Sequence, residues 1–197
     1  MLASITPLGE RGRRARWTVT AAVFIAGSTL GGTALGALLG QLGSLSLGAA
    51  GTGARIALVG VALAAGLTWE LAGAAVPGPR RQVDERWLDR YRSWVYGLGF
   101  GVQLGAGIVT VVVTSAVYAV LVAAFASADP IAGAAIGAVA GGLRGATVLA
   151  AATIVTPARL IAFHERMRSL HRPVRSAALA AQLALAALAV AVAVAIG

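Results

Sequence analysis

Three polar side chains interrupt long apolar stretches and are the residues best placed to do chemistry. Arg144 lies in GGLRGAT, Glu70 in LTWEL and Gln103 in GVQLG. An arginine at the middle of a bilayer costs about 2.5–3.5 kcal/mol on insertion scales, so Arg144 must face protein or water. Glu70 is the only acidic residue in an apolar stretch and is its natural partner. We predict a polar cluster of Glu70, Gln103 and Arg144.

Helical rise places this cluster in the cytoplasmic half of the membrane, with Glu70 about 9 Å, Gln103 about 12 Å and Arg144 about 18 Å deep. Two interpretations stay open. In the first, the cluster is a functional anion or proton site. In the second, its role is structural: it is an ion pair, or Glu70 simply extends to the membrane interface.

Two threonines extend the polar pattern along one helix face. Thr110 and Thr114 follow Gln103 by seven and eleven residues. Such a stripe can line a solute pathway. Alternatively, each threonine hydroxyl bonds to a carbonyl one turn earlier and has no further role.

Other kinds of chemistry have little support in the sequence. The chain has no cysteine, which excludes disulfides and thiolate metal sites. Its two histidines, His164 and His171, lie in an arginine cluster, and His164-Glu165 lacks the second histidine of a zinc-protease motif. We therefore expect no catalytic residues, no metal, no cofactor and no enzymatic activity.

The elements that must position these residues are membrane-spanning helices. The chain is 58% hydrophobic, and the apolar residues form blocks long enough to cross about 30 Å of hydrocarbon. We predict an all-α polytopic bundle, with a leader at 1–16 and a single transmembrane domain at 17–197. The five predicted spans are 17–43, 54–76, 94–126, 131–155 and 176–197. The segments at 80–92 and 158–175 are predicted as amphipathic linkers.

Arginine positions predict the orientation. Fourteen of the sixteen basic residues, all arginine, lie in the leader and the two linkers. The positive-inside rule then places the N-terminus in the cytoplasm and the C-terminus outside. We expect a multi-pass protein of a bacterial-type plasma membrane. The formal charge of +9 favours contact with the lipid bilayer rather than nucleic acid.

Glycines recur every fourth residue in three of the predicted spans. Small residues on one helix face let two backbones approach closely in lipid. The spacing predicts that these faces pack helices together. The functional alternative is that the same smooth faces slide during a transport cycle. The glycines are Gly32, Gly36, Gly40, Gly97, Gly101, Gly105, Gly133, Gly137, Gly141 and Gly145.

The segment GLGFGVQLGAGIV, residues 97–109, resembles a helix of the cytochrome c biogenesis transmembrane family, the CcdA-like and DsbD-like thiol-disulfide transporters. The leader PLGERGRRARW and the following FIAGSTLGGTALGALLG are also similar to that family's first cytoplasmic loop and second helix. The family's redox cysteine corresponds to a position near Val109, and this chain has none. The resemblance therefore implies a truncated, cysteine-less transporter-like scaffold. Related small-solute exporters share this general pattern.

Two function hypotheses follow. In the first, the protein moves a small solute, with an anion as one option, past Arg144. In the second, it is a non-catalytic subunit that packs against another membrane protein, or a second copy, through its glycine faces and last span. A polar cavity is typical of the first, and an uncovered small-residue groove of the second.

Overall fold

The structure, a computed structural model, describes residues 5–74, 76, 86–107 and 114–196. All regular structure in these ranges is helical, which confirms the predicted all-α fold. The helices are α1 (Pro7–Gly12), α2 (Trp17–Leu47), α3 (Thr52–Leu71), α4 (Arg86–Arg90), α5 (Ser93–Gly105), α6 (Ala116–Ala126), α7 (Pro130–Ala146) and α8 (Pro157–Ile196), with a 3-10 helix at Thr147–Ala151.

In the described part of the chain, four helical segments are long and apolar enough to cross a membrane, where five spans were predicted. They are Trp17–Leu47, Thr52–Leu71, Pro130–Ala151 and Pro157–Ile196. The chain is accordingly an integral membrane protein of the helical class.

The third predicted span, 94–126, is not one continuous helix. α5 has 13 residues and α6 has 11, so each is only about 15–20 Å long at 1.5 Å per residue. α5 ends at Gly105, and Gly107 follows with a φ of +66°, a conformation that interrupts a helix. Residues 108–113, including the predicted path-lining Thr110, lie outside the described residues.

Two other predicted boundaries differ. α3 ends at Leu71 rather than near Val76, because Gly73 adopts a φ of +71° and terminates it before the prolines. The predicted linker 158–175 and the last span form a single 40-residue helix, α8, in which Pro157 is the first residue and Pro173 is internal. Of the linker at 80–92, the structure describes residues 86–92, where α4 lies.

The chain divides into two compact units. Unit 1 comprises residues 1–32, 80–110 and 138–172, and unit 2 comprises residues 33–79, 111–137 and 173–197. Unit 1 has an apolar core that includes Phe24, Tyr96 and Phe100. Unit 2 has a smaller core of Leu63, Ala119 and Ala186.

Glycines set the close approach of helices within each unit. In unit 1, a Cβ at Gly101 would collide with the carbonyl oxygen of Phe24. In unit 2, a Cβ at Gly36 would collide with the carbonyl of Gly133. Gly32 and Gly137 appear as neighbours in such contacts. A Cβ would also collide with a backbone carbonyl oxygen at Gly40, Gly105, Gly133 and Gly141. At Gly145 it would lie 2.9 Å from the side chain of Ser28, and at Gly97 it would make a tight 3.1 Å contact with the carbonyl oxygen of Thr20. The predicted glycine faces are therefore occupied by contacts within the chain.

Candidate functional site

Glu70 occupies the last turn of α3, inside unit 2, with only 8% of its surface exposed. A carboxylate here needs hydrogen-bond donors, because an unpaired buried charge is costly. The donors come from the start of α6, where the third predicted span resumes. The site thus joins the end of one membrane helix to the beginning of a short one.

All donors reach the same carboxylate oxygen, Oε1 of Glu70. Thr114 donates from its hydroxyl at 2.9 Å and Ser115 from its hydroxyl at 2.6 Å. The backbone N–H of Ser115, the residue that precedes α6, also donates to Oε1. Oε2 accepts no hydrogen bond from any residue in the described ranges.

The carboxylate therefore caps α6 from a different helix. The first N–H groups of a helix have no partner within it, and the helix dipole favours negative charge there. Glu70 accepts a hydrogen bond from the N–H of Ser115, and Thr114 Oγ1 accepts one from the N–H of Ala116 at 3.3 Å. A side chain from α3 thus stabilises the broken end of the third span.

A glutamine on α8 completes the site. Gln182, which is 3% exposed, donates from Nε2 to the hydroxyl of Ser115 and to the carbonyl of Leu63, both at 3.0 Å. A Cβ at Gly66 would come within 2.6 Å of Ser115 Oγ, so this glycine leaves room for the network. Hydrogen bonds therefore run from Gln182 through Ser115 to Glu70.

Arg175 adds a positive charge at the edge of the site. Its Nη2 donates to the backbone carbonyl of Glu70 at 3.1 Å. This carbonyl lies at the C-terminal end of α3, where the helix dipole favours a cation. We name Glu70, Thr114, Ser115, Gln182 and Arg175 the break site.

The structure changes the predicted polar cluster. The side-chain partners of Glu70 are Thr114 and Ser115, not Gln103 and Arg144. Gln103 lies on α5 and Arg144 on α7, both in unit 1 and both half-buried. The Arg144 guanidinium forms no hydrogen bond or ion pair within the described ranges; its carbonyl accepts the hydroxyl of Thr147 at 2.6 Å.

Of the two predicted path-lining residues, Thr114 lies in the described part of the chain and reaches the site. Its hydroxyl donates to Glu70 and not to a carbonyl one turn earlier, because no helical turn precedes it among the described residues. Gln182 and Ser115 were missed by the sequence analysis. The signal for Gln182 was a single amide in the otherwise apolar span at 176–197.

A second buried carboxylate, Glu10, lies in unit 1 and was also missed. Glu10 on α1 is 0% exposed. Its Oε1 accepts from Arg13 at 2.7 Å, its Oε2 accepts from Thr20 at 2.7 Å, and the hydroxyl of Tyr96 lies 2.7 Å from both oxygens. Thr6 followed by Pro7 is a helix-start signal in the leader that could have revealed α1.

Arg13 compensates the charge of Glu10. Burial of Arg13 acts to lower its pKa, but hydrogen bonds and attraction to Glu10 and Tyr96 outweigh this effect and raise the pKa above its ordinary value. The guanidinium also lies 5.7 Å from the centre of the Tyr96 ring. Both oxygens of Glu10 accept hydrogen bonds, whereas one oxygen of Glu70 accepts none from the described residues, so the two buried carboxylates differ in their capacity for further binding.

Comparison of the chain with protein-family models, curated proteins and solved structures gave no match. Among the described residues, no group of three or more histidine, cysteine or acidic side chains could hold a metal ion.

Proposed function

We propose that the protein is a small transporter-like membrane protein in which Glu70 binds and releases a proton while a small solute crosses. The observation that carries this proposal is the carboxylate of Glu70 on the N-terminal end of α6, at the break in the third span. An ionisable residue in a membrane protein's interior is a functional candidate by default. Short or interrupted spans are where transporters place binding sites.

The small number of available oxygen ligands favours a proton over a metal cation as the ligand. Sodium and larger cations need several oxygen ligands around them, as the six to eight of calcium illustrate. The break site offers one carboxylate oxygen without a hydrogen bond from the described residues, while the hydroxyl of Ser115 is already a donor. A single oxygen of this kind can bind a proton but cannot coordinate a metal cation by itself.

Protonation provides a physical link to movement. The negative charge of Glu70 attracts the N-terminal end of α6. A neutral carboxylic acid removes this attraction and weakens the charge-assisted bonds from Thr114 and Ser115. The position of α6 then depends on whether Glu70 carries a proton. In this account Arg144 is a separate charge on α7, and no step depends on it.

Reconstituted liposomes that contain a pH-sensitive dye provide the test. A panel of small cationic, anionic and neutral solutes is added outside, and the internal pH is followed. We expect at least one solute to change the internal pH with the wild type, and the response to disappear with Glu70→Gln but remain with Glu165→Gln. An equal response of wild type and Glu70→Gln, including no response from either, contradicts the proposal.

A groove in unit 2 favours a second candidate function, a structural or assembly subunit. The groove has a volume of about 580 Å³ and is bounded by α3, α6 and α8. Alanines make up much of its wall, and small residues favour a tightly packed helix over an acyl chain. They are Ala116, Ala119, Ala123, Ala178, Ala181 and Ala189. The occupant we assign to this groove is a transmembrane helix of a partner protein.

Ala181→Phe and Ala119→Phe fill the groove and test the second candidate. Both variants should abolish co-purification of a membrane partner from the native membrane, while Leu183→Phe on the exposed face of α8 should not. A wild-type protein that purifies as a monomer without any partner would exclude the assembly role. It would leave the proposed proton-binding transporter role intact.

A further inference from the structure

The N-terminal half of α8 is a basic helix, and most of its side chains are exposed. α8 has 40 residues and is about 60 Å long, twice the thickness of the hydrocarbon core. The apolar part, 176–196, is sufficient to span the membrane. Residues 157–175 therefore lie on the predicted cytoplasmic side, and we name them the basic arm.

The basic arm has one apolar face. Leu160, Phe163, Met167, Leu170 and Val174 recur at alternating steps of three and four residues, which places them in one stripe. Met167, Leu170 and Val174 are 43%, 38% and 60% exposed. An exposed apolar stripe of this length needs a partner surface.

The charges of the basic arm indicate which surface the stripe contacts. The arm contains five arginines and one acid, Glu165. Arg159 and Arg166 flank the stripe on one side, and Arg175 and both histidines on the other. Two copies of the arm joined through the stripe would bring arginines of like charge together without acids to compensate, which opposes self-association. An anionic lipid surface matches both the stripe and its basic borders.

Pro173 gives the arm a hinge at the membrane boundary. It lies inside α8 and has no N–H to donate to the carbonyl of Ser169, so the helix is weakened there. Ser176 donates its hydroxyl to the Pro173 carbonyl at 3.0 Å, a local bond that also bends helices. The boundary between unit 1 and unit 2 falls at the same position, between Arg172 and Pro173.

We infer that the basic arm binds the anionic phospholipid surface of the cytoplasmic leaflet through its apolar stripe and flanking arginines, by bending at Pro173. The attached membrane span holds the arm next to this surface, so the effective lipid concentration is high. This inference does not require proton uptake by Glu70, and Arg175 is the one residue that belongs to both the basic arm and the break site.

The absence of cysteine from the chain permits a direct test with single labels. Leu170→Cys places an environment-sensitive fluorophore in the stripe, and Glu165→Cys places a matched control on the opposite face. The full-length protein is reconstituted in vesicles of phosphatidylcholine alone, or of phosphatidylcholine mixed with phosphatidylglycerol. Access of a water-soluble quencher to each label is then measured.

We expect quenching at position 170 to fall several-fold in the anionic vesicles and to recover at high salt, while position 165 stays accessible in both. Arg159→Gln with Arg166→Gln, and separately Pro173→Ala, should each reduce the protection at position 170. Equal quenching of position 170 in both lipids would overturn the inference. Protection that depends on protein density rather than lipid charge would overturn it too, and would identify a second copy as the partner.

Discussion

The hydroxyl of Ser115 donates a 2.6 Å hydrogen bond to Oε1 of Glu70, a residue 45 positions earlier in the chain. This bond connects the last turn of α3 to the residue that immediately precedes α6. The same hydroxyl accepts from Gln182 on α8. Three helices of unit 2 thus depend on one serine, and the buried charge of Glu70 depends on the same group.

Ser115→Ala should destabilise the protein by about 1–3 kcal/mol, because Gln182 and Glu70 each lose a buried partner. Unfolding in mixed micelles, followed by circular dichroism, measures this change. Ser46→Ala serves as the control, since among the described residues that exposed hydroxyl bonds to the carbonyl of Leu42 alone. Equal stabilities of the two variants would show that the break site is not a structural connection.

Glu10→Gln should be more damaging, with a loss of about 3–5 kcal/mol, because it leaves Arg13 without its buried counter-charge. Tyr96→Phe should cost about 0.5–1.5 kcal/mol, since it removes one hydrogen-bonding group. The same unfolding measurement applies, with the exposed Glu165→Gln as the control. A Glu10→Gln protein as stable as the wild type would contradict the structural role of α1.

Gly101→Ala should cost at least about 1–3 kcal/mol, the range for overpacking. The added Cβ would meet backbone atoms of Phe24, Gly27 and Ser28, which cannot rotate away. Gly12→Ala is the matched control, because nothing lies within 4 Å of the Cβ position there. The ratio of folded to aggregated protein after detergent extraction gives a second readout, and similar behaviour of both variants would refute the close approach of α2 and α5.

Arg144→Leu should fold at least as well as the wild type. The guanidinium has no hydrogen-bond partner in the described ranges, and a central arginine opposes insertion by about 2.5–3.5 kcal/mol. Membrane yield and unfolding in mixed micelles check this expectation. A substantial loss of stability would show that Arg144 has a structural partner. If the protein is a proton-binding transporter as proposed, the solute-dependent change of internal pH in liposomes should survive this substitution.

The sequence was sufficient to predict the fold class, because apolar blocks of bilayer length and flanking arginines are strong local signals. The close packing at Gly36 and Gly101 also follows the predicted four-residue spacing. The break between α5 and α6 was not predicted. Composition is apolar through 94–126, and hydropathy does not distinguish a continuous helix from two short ones.

The partners of Glu70 could not be predicted for a related reason. The depth of each residue along its helix axis predicted Arg144 and Gln103 as neighbours. Depth alone does not show which way a side chain points around the axis, or where a neighbouring helix ends. Ser115 became a partner only because α6 begins there and exposes its N–H groups. Glu10 was missed because a short leader with four arginines was interpreted as a polar tail.

The central claim is that Glu70 takes up a proton in the folded protein within its membrane. A hydrophobic carbodiimide adds to carboxylic acids in their protonated form, and mass spectrometry locates the product. We expect labelling of Glu70 that decreases as pH rises and that is lost from the Glu70→Gln protein. Absence of the adduct at Glu70 across the pH range, or an adduct yield there that does not change with pH, would contradict the account.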